Sequence, residues 1–140
     1  MDISIVIPLL NEQNSLEELS SSVSSVINDL NLKYEIILID DGSTDNSWKI
    51  ISKICLKNQH IKGIRFLKNF GKSQALSAGF KACNGDVVIT MDADLQDDPN
   101  EIPELYKKIN EDNFDLVSGW KKVRYDSIIF KNFPSKIFNW

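Results

Sequence analysis

Apolar and polar positions follow two alternating rhythms along the chain. Compact apolar runs at Ile3 to Leu9, Tyr34 to Ile39, Ile61 to Leu67, Asp86 to Met91 and Phe114 to Ser118 read as five strands. Between them the apolar residues recur at helical spacing. Leu16, Leu19, Val23, Val26 and Leu30 form one stripe, opened by a capping-box pattern at Ser15-Leu16-Glu17-Glu18. A second helix is expected to start near Asp45 as its N-cap and to bury Trp48, Ile51 and Cys55. A third runs from about Ser73 to Cys83, where Asn84-Gly85 stops it. A fourth is capped by Asn100, with Pro103 tolerated in its first turn. Strands separated by helices in this way predict βαβ units, hence an α/β fold with a mostly parallel central sheet flanked by helices.

With 140 residues, 42% of them hydrophobic and 26% charged, the chain has the size and composition of one ordinary globular domain. The net charge of −4 offers no basic surface for tracking a phosphate backbone, so nucleic acid is not an expected partner. No apolar run approaches the roughly 20 residues of a membrane span, and Asp2 and Pro8 spoil any secretory leader. Cys55 and Cys83 have no Cys or His partner at ligand spacing and read as reduced core thiols, which favours the cytoplasm. The segment from Lys121 to Trp140 has no clear period. The expectation is a core over 1–120, with 121–140 beginning a further part of a longer protein.

The chemistry gathers behind the strands. In "VVITMDADLQDDP", residues 87–99, Asp92 and Asp94 follow an apolar run two residues apart, and on extended backbone both would project to one side. Two converging carboxylates repel each other unless a cation lies between them, so a divalent metal is the first hypothesis. Asn11 and Glu12 follow strand one, Asp40 to Thr44 strand two, and Asn69 to Ser73 strand three. All these groups fall at carboxyl ends of strands, the edge at which open α/β sheets bind ligands. Each also has a plainer reading. Asp40 to Asp45 makes a good turn with Asp45 as cap, and Asn69 to Ser73 is either a glycine turn entering a helix or a phosphate contact through Lys72. An EF-hand is excluded, since its register would put Asp97 where glycine and Pro103 where glutamate belong. His60 is the only histidine and reads as a solvated loop residue, which disfavours Ser-His or Cys-His catalysis.

Five ordered motifs, "IVIPLLNE", "DDGSTDNS", "NFGKSQALSAGF", "DADLQDDP" and "VSGWKKVR", span nearly the whole chain. Together they resemble the family 2 glycosyltransferases of GT-A fold, particularly the subgroup that loads a sugar onto a polyprenyl phosphate. The resemblance implies an inverting transferase that takes a sugar from a nucleotide-diphosphate donor, with Mg²⁺ or Mn²⁺ as cofactor. It implies that Pro8, Leu10, Glu12, Lys72 and Ala93 line the nucleotide pocket and that Asp41 accepts a hydrogen bond from the base. Relatives often carry tyrosine where Leu10 stands, so here that wall can offer only apolar contact. Asp92 and Asp94 match the metal-holding D-x-D pair, with Asp94 favoured over Asp92 for direct contact, and Gln96 matches a position beside the metal. Arg124 matches a basic residue facing phosphate, which makes Asp94 and Arg124 the catalytic candidates. The implied acceptor is a polyprenyl phosphate or, alternatively, a glycan hydroxyl; a fragment that binds nucleotide without transfer is the third reading. The implied setting is the inner face of a membrane, contacted through a C-terminal part, and a homo-oligomer stays open. Two rival classes fare worse. A receiver-type phosphorylation module wants an acidic pair where Leu10-Asn11-Glu12 stands, and a nucleotidyltransferase wants a glycine-rich basic loop in place of "PLLNEQNS".

Overall fold

A computed structural model describes residues 1–112 and 114–119 of the chain. Four parallel strands form one sheet in the order β3-β2-β1-β4, with β1 at Ile3–Leu9, β2 at Tyr34–Asp40, β3 at Ile61–Arg65 and β4 at Val87–Thr90. Every residue of β1 and β2 is buried, as expected of parallel strands covered on both faces. Ile3, Ile5 and Ile7 point to one face and pack with helices α1 (Leu16–Asp29), α2 (Ser47–Lys57) and α4 (Ile102–Asn110). Val6, Ile37 and Ile39 point to the other face, against Ala75 of α3 (Lys72–Ala82). That helix lies close to the sheet because Gly79 has no side chain, since a Cβ there would stand 2.4 Å from Val6 Cγ1.

The strand order reverses between β1 and β4, and this creates a crevice. Their ladder ends at Val6–Thr90, with the Met91 N–H reaching the Val6 carbonyl at 3.1 Å, and beyond it the two strands part. Pro8, which has no N–H to give a ladder, sits in the stretch of β1 that lacks a β4 partner.

Several local expectations need correction. Ser15 precedes α1 but makes no side-chain cap, and its hydroxyl instead donates to the carbonyl and carboxylate of Glu12. Asn46, not Asp45, is the N-cap position of α2. Asp98 rather than Asn100 caps the fourth helical segment; it accepts the Asn100 N–H at 2.9 Å, and a 3₁₀ turn at Pro99–Glu101 precedes α4. Residues 114–118, expected as a fifth strand, pair with nothing in the sheet. An apolar run becomes a strand only when a ladder partner meets it. Cys55 and Cys83 are free thiols, half-buried, and burial pushes both above their ordinary range. His60 is exposed, as expected of a loop residue, and stacks on Tyr34 at 4.5 Å between ring centroids.

At the amino edge of the sheet, far from the crevice, Glu35 is a buried carboxylate held by several donors. Ser4 Oγ (2.7 Å) and the Asn84 N–H (2.6 Å) donate to Oε1, and Lys62 Nζ (2.7 Å) donates to Oε2. Burial pushes the carboxyl up, but Lys62, Ser4 and Asn84 outweigh it and lower it from 4.5 to about 2. A carboxyl lowered on folding stabilises the fold above its unfolded pKa, and that contribution drains away as pH falls from about 4.5 towards 2. With Lys62 half exposed, the shift is worth about 2–3 kcal/mol. Glu35→Gln is therefore expected to lower the urea midpoint at pH 7 and to leave the protein less sensitive to acid between pH 4.5 and 3. A variant with the native acid profile would show that the carboxylate contributes no linkage.

Candidate functional site

The loops that leave the sheet at its carboxyl edge are tied to one another through side chains. Asn11 adopts a left-handed conformation (φ 57°) that few residues other than glycine and asparagine take readily. Its N–H donates to Ser43 Oγ at 2.8 Å, and its Oδ1 accepts the Thr44 N–H at 2.9 Å. The Glu12 N–H donates to Ser47 Oγ at 2.9 Å. Asp45 is more than a turn residue, because its carboxylate accepts both the Ser47 N–H (2.9 Å) and the Gln13 N–H (3.2 Å). Burial pushes Asp45 up, and the Ser47 and backbone hydrogen bonds overcome this to hold it below the usual carboxylate range. The loops after β1 and β2 are therefore braced against each other.

The adjacent acidic pair after β2 divides its work. Asp40 is fully buried and turned into the protein; Oδ1 accepts the Ser43 N–H at 2.8 Å, while Oδ2 has no hydrogen bond and lies 3.8 Å from Arg65 Nε. Asp41 faces the loop after β3. Its two carboxylate oxygens accept the N–H groups of Phe70 (2.8 Å) and Gly71 (2.9 Å). Gly42, at φ 77°, brings the two loops together, and a Cβ there would lie 2.3 Å from the Lys68 carbonyl carbon. Gly71, at φ 96°, turns the chain into α3 and sets Lys72 as its first residue.

The loop after β4 closes the crevice. The strand ends at Thr90 and the chain bends over Ala93 to Leu95, so Asp94 lies in the bend and Asp92 just before it, and both line one cleft. Leu95 takes a left-handed φ of 62°, unusual for leucine. The bend is held by the Asp92 N–H on Asp97 Oδ2 (2.7 Å) and the Gln96 N–H on Asp94 Oδ1 (3.1 Å). Lys72 Nζ reaches across from α3 and forms an ion pair with Asp92 Oδ1.

These loops enclose a cleft of about 290 Å³ at the switch point between β1 and β4. Pro8, Leu10, Glu12, Asp41, Lys72, Asp92, Ala93 and Asp94 all line it, so eight of the residues singled out from sequence share one cavity. Asn69 and Gly71, from the cluster expected after strand three, line it too without having been given a role of their own, and Leu9 lines it and was missed. Two site candidates remain. Gln96 lines a neighbouring hollow of about 1070 Å³ between β4, α4 and residues 115–119, and Arg124 lies outside the described residues, as do Trp120 to Trp140. The neighbouring hollow is the larger, but the clustered loop chemistry belongs to the smaller cleft.

Among the described residues, four carboxylates and a single ammonium line that cleft, so it repels an anion unless cations enter with it. Among those residues no three His, Cys, Asp or Glu side chains are grouped as metal ligands. Two carboxylates nevertheless fit a hard ion of the Mg²⁺ type, which takes one or two protein carboxylates and completes its shell with water and substrate phosphate. Asp92 and Asp94 are the residues that would hold it.

Residues 4–139 match the family model for glycosyl transferase family 2. The undecaprenyl-phosphate 4-deoxy-4-formamido-L-arabinose transferase of Shewanella sediminis is 43% identical over 138 residues, which is 98% of this chain and 41% of that protein. The chain thus spans about two fifths of the length of the curated relatives it matches. Among solved structures, a mannosyltransferase from Pyrobaculum calidifontis in complex with GDP-Man and Mn²⁺ has a TM-score of 0.68 at 20% identity, covering 78% of this chain and 32% of that one. The glucosyl-3-phosphoglycerate synthase of Mycobacterium tuberculosis, in complex with Mn²⁺, UDP and phosphoglyceric acid, has a TM-score of 0.59 at 28% identity, covering 77% of this chain and 38% of that one.

Proposed function

The chain belongs to glycosyl transferase family 2, and on that premise we propose that it carries the donor-binding half of an inverting transferase that moves a sugar from a nucleotide-diphosphate sugar to polyprenyl phosphate. The observation that carries this reading is the convergence of Pro8, Asp41, Lys72, Asp92 and Asp94 on one cleft at the switch point. Pro8 and Leu10 offer the base an apolar wall, and Asp41 offers it a hydrogen-bond acceptor. Asp92 and Asp94 would together hold Mg²⁺ or Mn²⁺, with Asp94 foremost, and Lys72 would lie against the diphosphate. A bound divalent ion supplies Lewis-acid neutralisation of the charge that grows on the leaving diphosphate.

The acceptor phosphate oxygen forms the new bond to the anomeric carbon from the face opposite the leaving diphosphate. The bond to the diphosphate breaks, and its electron pair leaves with the nucleotide. An acceptor that is already an anion needs no protein base to take a proton. Arg124 is assigned, from its motif alone, a share of the phosphate charge. The polyprenyl acceptor is supported by the names of the curated relatives, and it implies that the full-length protein works at the inner face of a membrane. Among the described residues no helix is long and apolar enough to cross one.

The reading is tested by calorimetry with UDP and GDP, each in Mn²⁺ and in chelator, followed by transfer assays with polyprenyl phosphate. The 140-residue chain is expected to bind one of the diphosphates in Mn²⁺ without transferring sugar, and a chain of the relatives' length to do both. Equal affinity in Mn²⁺ and chelator would count against the metal assignment. Robust transfer by the 140-residue chain would overturn its assignment as a donor half.

A further inference from the structure

The ion pair between Lys72 and Asp92 has a consequence for the order in which ligands enter the cleft. Among the described residues Lys72 is the only cation lining it, and its partner Asp92 is one of the two carboxylates assigned above to the metal. Both positions are fixed by the loops. Lys72 follows Gly71, whose N–H is pinned by Asp41, and Asp92 is held through its own N–H by Asp97. The ammonium on Oδ1 therefore stands where a metal ion would take a ligand. Both side chains are partly open to solvent, 60% for Lys72 and 40% for Asp92, so the pair is exchangeable and not a buried lock.

We propose that Lys72 is a positioning residue that couples metal binding to diphosphate binding by exchanging partners. Before donor arrives its ammonium neutralises Asp92 and competes with a divalent cation for that carboxylate. When a diphosphate enters, the ammonium transfers to a phosphate oxygen and Asp92 is released to the metal. The inference rests on the donor-site reading above and adds to it a sign that the reading alone does not contain: removing a cation from the cleft tightens metal binding when no nucleotide is present. Thermodynamic reciprocity then requires the metal to raise diphosphate affinity by the same factor by which diphosphate raises metal affinity. Part of that factor depends on Lys72.

The test measures Mn²⁺ binding to the 140-residue chain by electron paramagnetic resonance of the free ion, with and without UDP or GDP, for native protein, Lys72→Met and Lys72→Gln. Lys68→Met removes the same charge from the neighbouring loop without touching the cleft and serves as control. Lys72→Met and Lys72→Gln are expected to bind Mn²⁺ alone about fivefold more tightly at low salt, the gain shrinking at high salt. Both are also expected to bind the diphosphate more weakly in Mn²⁺ and to show a smaller coupling factor, while Lys68→Met behaves as native. Nucleotide-free Mn²⁺ affinity that is unchanged or reduced in both Lys72 variants would overturn the exchange. If the native chain bound neither diphosphate but the Lys72 variants still gained Mn²⁺ affinity, the donor-site reading would fall while the competition at Asp92 stood.

Discussion

Replacing Asp94 with alanine is expected to abolish the advantage that Mn²⁺ gives to nucleoside diphosphate binding, with a loss of about 3 kcal/mol, roughly a hundredfold in affinity. The size of the loss follows from the cleft's charge. With Glu12, Asp41 and Asp92 still in place, a diphosphate would enter against net negative charge, and one carboxylate is a poor holder of a hard cation. The fold should tolerate the change. Asp94 is exposed, and the hydrogen bond it is seen to accept comes from the Gln96 N–H two residues on, within the same bend. Calorimetry in Mn²⁺ and in chelator, alongside a thermal melt, separates the outcomes. A variant with native melting temperature and native Mn²⁺-dependent affinity would remove Asp94 from the metal site. A variant that binds equally weakly in both conditions is the expected result.

The sheet was readable in the sequence because its central strands are buried on both faces, so Ile3 to Leu9 and Tyr34 to Asp40 could carry almost unbroken apolar runs. The site was readable for a related reason. Polar clusters that would be costly inside the sheet collect where its strands end, and the strand order gathers those ends around the switch point. Caps were less legible. Ser15 has the right residue type in the right place, yet its hydroxyl is taken by Glu12, a choice that depends on where the β1 loop turns. The hydrogen bonds of the loops were least legible. Asn11 meets Ser43 and Thr44, and Asp41 meets Phe70 and Gly71, across about thirty positions in each case, and no local pattern encodes such partners. The run at 114–118 shows the opposite failure, a strand-like composition without a ladder partner among the described residues.

Asp41 is the residue for which those long-range bonds matter most, and Asp41→Asn is expected to lower both stability and nucleotide affinity. The carboxylate is 4% exposed and accepts two backbone N–H groups, one on each oxygen. An asparagine must present its NH₂ to one of them, so one buried bond is lost and two donors are left facing each other. Hydrogen bonds to charged acceptors are worth about 1.5–3 kcal/mol, which sets the expected loss of stability at about 2–3 kcal/mol. The damage falls on the segment that lines the cleft, because Asn69, Gly71 and Lys72 flank the bonds that Asp41 makes. Ionised, each oxygen retains a further lone pair, which is what a base would use. Two consequences then separate. If Asp41 also reads the base, the asparagine variant loses affinity for the preferred nucleotide more than for the others, since the amide cannot offer two acceptors. If Asp41 serves the fold alone, all nucleotides weaken by the same factor. The expected result is a lower urea midpoint together with a narrowed preference between UDP and GDP. A destabilised variant with unchanged preference would confine Asp41 to holding the loop after β3, and base selection would have to come from the wall formed by Pro8 and Leu10.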